Sequence, residues 1–155
     1  MIATLQAVKA ALTDLGYPVH LFNAEGPTED QTPQVPYLVL EVGGGLQPDE
    51  LPVCGPDGDL QFDLRVKAVG YPADSPPKVQ ARVRGVLAPG LGMSRLTPTG
   101  RTVDIAYART EVASVVDRDV TVPRFNRHPS WGVDTYTVRV QVAPTPPPDE
   151  ESSSG

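Results

Sequence analysis

The sequence predicts an α+β fold: a single domain built on a mixed, mainly antiparallel sheet with two helices packed on it. Three observations predict it. Asp59–Pro89 reads as a long alternating strand, a break and a short amphipathic helix. Residues 2–15 repeat apolar side chains at helical period, and Trp131–Val142 alternates again near the other end of the chain. At 155 residues the chain fits one domain with a single core.

In the opening helix, Leu5, Val8, Leu12 and Leu15 form one stripe, and Gly16 is placed to end it. Tyr17–Ala24 follows as a short strand, with Val19 and Leu21 alternating against His20 and Phe22. The stretch to Pro36 is loop by composition. Tyr37–Val42 is apolar on both faces until Glu41, which predicts a strand inside the sheet. Gly43–Gly58 is the longest irregular stretch, rich in glycine and proline.

The central strand puts Leu60, Phe62, Leu64, Val66 and Ala68 on one face and Gln61, Asp63, Arg65 and Lys67 on the other. Gly70, Tyr71 and Pro72 end it. Ser75 is the expected N-cap, with Pro76 at the first helical position. Val79, Val83, Val86 and Leu87 then share a face, and Lys78, Arg82 and Arg84 point away. Gly90–Gly100 reads as a turn-rich connection. Thr102–Arg109 alternates as a strand, and Glu111–Val116 and Asp119–Pro123 read as two short strands or one bulged strand. In the last strand Tyr136, Val138, Val140 and Val142 face one way, and Thr135, Thr137, Arg139 and Gln141 the other. The domain is thus expected over 1–142. Residues 143–155 (APTPPPDEESSSG) offer no apolar anchor and are expected to be a disordered tail.

With 18 prolines and 14 glycines, much of the chain is loop. Half of the net charge of −6 comes from Asp149, Glu150 and Glu151. A mildly acidic body argues against wrapping nucleic acid, whose phosphates it would repel. No stretch approaches the roughly twenty apolar residues of a membrane span. Lys9 and Asp14 interrupt the N-terminal apolar positions, so a signal peptide is not expected and a soluble protein is.

The chemistry-bearing residues are sparse. His20 and His128 lie on different elements, and nothing in their spacing builds a metal site. Asp57-Gly58-Asp59 lacks the later ligands of a calcium loop and reads as a turn. Gly43-Gly44-Gly45 has no following Gly-Lys-Ser/Thr or helix, so it reads as a hinge rather than a phosphate cradle. Cys54 has no basic neighbour to activate it, and being single it excludes an internal disulfide. No G-x-S-x-G is present. The expectation is no enzyme, no metal and no cofactor. The one dense polar and aromatic cluster is Arg124–Trp131. Either it tucks an aromatic under the sheet edge, or Arg124, Phe125, Arg127 and Trp131 form a subunit interface.

The order of elements, from the helix at Ile2–Leu15 through YLVLEV, the VQARVRGVLAP helix and the closing TYTVRVQV strand, resembles the tail terminator family of long-tailed bacteriophages. These are also called minor tail or tail-completion proteins. The resemblance covers roughly residues 1–142. It implies a structural virion protein, assembled in the host bacterial cytoplasm, that forms a homo-hexameric ring at the head-proximal end of the tail. Its partners would be its own copies, the tail tube protein and the head–tail connector or stopper. DNA would pass through without specific binding, and no membrane is involved. The family has no active-site residues to carry over. The Gly43–Gly58 loop and the acidic tail match no family element. Two other readings stand beside it: a head–tail stopper or head-completion protein, and a small non-viral binding domain.

Overall fold

The computed structural model describes residues 2–22, 35–43, 60–98, 100–119, 121 and 127–142. The expected loops after Phe22 and Gly43, and the tail from 143, lie outside the described residues. Two helices, α1 (Ile2–Thr13) and α2 (Ser75–Leu87), accompany six strands: β1 (Val19–Leu21), β2 (Tyr37–Val42), β3 (Leu60–Gly70), β4 (Met93–Leu96), β5 (Arg101–Val116) and β6 (Ser130–Val142). The strands form one sheet in the order β1-β2-β3-β6-β5-β4. Among the described residues only β1 and β2 run parallel, and every other pair is antiparallel. The fold is therefore the expected single α+β domain. Neither helix is long and apolar enough to cross a membrane.

Register explains why both helices lie on one side. Ala68, Val66 and Leu64 of β3 sit opposite Leu38, Leu40 and Val42 of β2. Across the other edge of β3, Phe62 and Leu64 meet Val138 and Tyr136 of β6. These residues, with Val103 and Ile105 of β5, make one buried surface. Leu5, Val8 and Leu12 of α1 and Val79, Val83 and Leu87 of α2 complete the same core. The opposite face has no helix among the described residues. There Arg65 bridges Glu41 at 3.2 Å and Glu111 at 3.1 Å. Val39, Val69 and Val133 are nevertheless buried on that open face, which fits the two-sided apolar reading of Tyr37–Val42.

Several boundaries differ from expectation. α1 stops at Thr13, and Gly16 follows with φ +81°, a conformation that favours glycine. Of the expected Tyr17–Ala24, β1 takes Val19–Leu21 and Phe22 turns the chain with a left-handed φ of 66°, while Asn23 and Ala24 lie outside the described residues. The residue before α2 is Asp74, not Ser75, and it supplies no side-chain cap. Its carboxylate pairs with Lys78 instead. Gly90–Gly100 is more than a turn: it holds β4, invisible in MSRL because pairing with β5 and a bidentate Arg95–Asp104 contact at 2.7 and 3.0 Å define it. Thr102–Arg109 and Glu111–Val116 belong to one strand, which absorbs three register shifts against β6. Of Asp119–Pro123, Asp119 lies in a turn rather than a strand, and most of the rest falls outside the described residues. β6 begins one residue early, at Ser130.

The faces of β3 are directly testable. Phe62→Ala opens a cavity in the shared core and should cost about 3–5 kcal/mol in urea unfolding. Arg65→Ala removes a half-exposed pair and should cost about 1 kcal/mol or less. Equal costs would show that the faces are assigned the wrong way round.

Candidate interface

Of the four residues expected at an interface, Arg124 and Phe125 lie outside the described residues. So do Cys54, Asp57, Asp59, Gly44 and Gly45. Arg127 and Trp131 are described, and both lie at the end of the sheet where β3 stops and β6 starts. They take different partners there. Trp131 stands opposite Val69 of β3 and Val115 of β5 on the helix-free face. The Lys67 ammonium lies 4.8 Å over its ring. Arg127 is exposed, and its guanidinium lies 6.0 Å from the Tyr71 ring.

Around Arg127 the chain forms an open cleft of about 430 Å³ lined by Tyr71, Pro72, Ala73, Val116, Arg127, His128 and Ser130. Local chemistry builds its walls. Proline at 72 ends β3, and the Ser75 amide donates to the Pro72 carbonyl at 2.9 Å, turning the chain into α2. The Ser114 hydroxyl donates to the Ala73 carbonyl at 2.7 Å, which fastens the end of β5 to that turn. The Asp117 amide donates to the Pro129 carbonyl at 2.8 Å and closes the passage from β5 to β6. Val115 and Val116 are left 44 % and 45 % exposed beside it. Apolar carbon, a ring and a cation meet in one concave place. That combination holds a peptide segment or a neighbouring subunit better than it holds a reacting small molecule.

Deeper in, the structure reveals a polar site that the sequence reading passed over. Asp134 is only 1 % exposed and lies on the helix side of β6, opposite Val66. Arg84 Nε donates to its Oδ2 at 2.8 Å, Thr110 Oγ1 to its Oδ1 at 2.7 Å, and Gln80 Nε2 to its Oδ1 at 3.3 Å. Gln80 Nε2 also reaches the Val112 carbonyl at 3.0 Å. Arg84, expected to point away, therefore bends back to the sheet and lies 5.7 Å from the Tyr107 ring. The reason is charge: an ionised carboxylate is costly to bury without a cation. A signal was available, since Asp134 is in phase with Tyr136 and Val138 on an alternating strand. Tyr136 itself is fully buried. Burial first, and the Asp134 carboxylate second, push its hydroxyl well above the ordinary tyrosine range, so it stays protonated. Gly132 lies under Gln80: a Cβ there would stand 2.5 Å from the Ala113 carbonyl and 2.9 Å from the Gln80 amide.

On the helix-free face, Glu111 accepts from Thr135 Oγ1 at 2.8 Å and from Arg109 at 3.2 Å, besides Arg65. The Thr135 hydroxyl chiefly, with Arg65 and Arg109 adding and burial opposing, holds the carboxyl below its usual 4.5. His20 meets Tyr37 edge-on at 5.6 Å, far along the chain from His128. Among the described residues, no three His, Cys, Asp or Glu side chains group to hold a metal ion. No known family model matches the sequence, and no curated protein is significantly similar to it.

Two outcomes test these networks. Asp134→Ala leaves Arg84 half-buried without its carboxylate and should cost about 3–5 kcal/mol, read by chemical denaturation. Glu111 has a folded pKa below its unfolded one, so its contribution is present above the unfolded value and lost as pH falls through the folded one. The urea midpoint of the wild type should drop as the pH falls below the ordinary carboxylate range, and Glu111→Gln should flatten that drop. An unchanged slope would remove Glu111 from the acid response.

Proposed function

We propose that this protein is a structural ring subunit of the phage tail-terminator type, capping the head-proximal end of the tail tube and joining it to the head connector. The observation that carries this reading is the placement of both helices on one side of the sheet. Among the described residues no helix covers the other face, and the Tyr71–Arg127 end is an open cleft. A helix, a short strand, a second strand, a long strand, a helix, further strands and a closing strand follow one another, the order on which the family resemblance rests. Arg127 and Trp131 sit where a neighbour can cover them, while Arg124 and Phe125 keep their proposed role as the preceding part of that interface. In such a ring each copy meets two others head-to-tail, and rotation closes the assembly. The role requires shape and adhesion and no reacting group, metal or cofactor.

The described body adds one electrostatic point. Every lysine and arginine but Arg124 falls among the described residues, whereas more than half of the 19 acids fall outside them. A ring that lets DNA pass without holding it would keep these cations in ion pairs. Arg65, Lys78, Arg84, Arg95 and Arg109 are paired so, whereas Lys67 and Arg127 lie against aromatic rings.

Electron microscopy of purified tails mixed with the protein tests the proposal. Rings at one end of each tube are the expected result. Rings on filled heads would reassign it as a head–tail stopper, and a monomer indifferent to both would leave it a small binding domain.

A further inference from the structure

The sheet has two chemically different ends. Gly43, Leu60 and the end of β6 lie together at one end, since Val42 pairs with Leu64 and Leu60 with Val140. The end of β2 and the start of β3 border residues 44–59, which hold Asp49, Glu50, Asp57 and Asp59, and β6 leads into APTPPPDEESSSG. At the opposite end are the Tyr71–Arg127 cleft and Trp131. Among the described residues Arg127 makes no ion pair with a carboxylate; its contact is with the Tyr71 ring. The cleft thus presents an aromatic ring, proline and valine carbons, and a cation in one concavity. Its complement is a proline-rich strand followed by acids. Such strands dock on aromatic-lined grooves because little conformational freedom is lost on binding. The chain carries that sequence in Pro144–Pro148 followed by Asp149, Glu150 and Glu151.

Geometry decides between docking on the same copy and on another. β6 spans 13 residues from Ser130, at the cleft, to Val142. That is about 40 Å at ~3.3 Å per residue. The acids stand seven to nine residues past Val142, a reach of at most about 25–32 Å when fully extended. Pro144–Pro148 lie only two to six residues past Val142, a reach of at most about 7–22 Å, so they cannot meet Tyr71 of the same copy, and a path over the surface is longer still. The acids of one copy therefore meet the cleft of another.

We propose that the segment Pro144–Glu151 of one copy docks in the Tyr71–Arg127 cleft of the next, prolines against Tyr71 and Val116 and acids against Arg127. This deepens the ring reading and rests on it for the closure of the assembly, but the contact itself is tested in solution. Two full-length variants are compared with the wild type by sedimentation velocity and native mass spectrometry. One carries Arg127→Glu; the other carries Asp149→Lys, Glu150→Lys and Glu151→Lys. Each alone should self-associate at least about tenfold more weakly than the wild type, because like charges now face each other. An equimolar mixture should recover association, since the reversed cleft of one variant fits the reversed segment of the other. Wild-type association by either variant alone, loss without recovery on mixing, or a wild type that stays monomeric would each overturn the docking. Should Arg127→Glu alter the circular dichroism spectrum, Arg127→Gln replaces it, with a smaller weakening expected. Salt-sensitive retention on double-stranded DNA that Arg127→Glu abolishes, without any effect on association, would assign the cation to phosphate and overturn the proposal too. Rings on tail tubes from both variants, as from the wild type, would sink the docking and leave the ring reading standing. Association in solution with no ring on any tube would do the reverse.

Discussion

The buried carboxylate of Asp134 ties the two layers of this molecule together. Apolar packing alone fixes the rotation of a helix on a sheet only as closely as its stripe is wide, because hydrophobic contact is non-directional. Asp134 supplies direction. It takes one donor from each of two successive turns of α2, Gln80 and Arg84, and one from β5, Thr110. The helix is therefore held in rotation as well as in distance. Gln80 extends the tie to the Val112 carbonyl, at a point where β5 slips register against β6. Gly132 gives Gln80 the room to lie there.

That tie also sets where the candidate interface lies. α2 starts from the turn at Tyr71–Asp74, so fixing the helix fixes the wall of the cleft. Ser114 holds the same turn from β5. The proposed recognition surface is thus made of short turns clamped between rigid elements, an arrangement that would keep the loss of freedom on binding small. Arg127 gains most from this, because its ring partner Tyr71 belongs to the clamped turn.

Much of this architecture is written in local pattern. β3 and β6 alternate without interruption, so their faces are readable from Phe62, Leu64, Tyr136 and Val138 alone. The core stripe of α1 is readable for the same reason. What local pattern does not carry is anything decided by a distant partner. Met93–Leu96 has no strand signature of its own and becomes β4 because β5 offers an edge and Asp104 offers two oxygens to Arg95. Arg84 reads as a solvent-facing cation until the sheet brings a carboxylate beneath it. The three register shifts of β5 are invisible because an extra residue in an alternating run is indistinguishable from a short loop. At the candidate interface, Arg127 and Trp131 were legible as residue types that binding surfaces favour. Their separate partners, Tyr71 and Lys67, depend on where β3 ends and so on the tertiary fold.

The slips in β5 have a consequence for how copies of this chain can meet. Beyond Ala106 no strand pairs with the outer edge of β5 among the described residues, and a long straight edge of that kind recruits further strands without limit. Each slip turns the backbone, and Arg109 and Glu111 put opposite charges along the run. A chain with such an edge is a poor template for open-ended sheet growth. Contacts through the strand ends can curve back on themselves, whereas stacking through edges extends a fibre. The irregularity of one strand thus favours a countable assembly over an endless one.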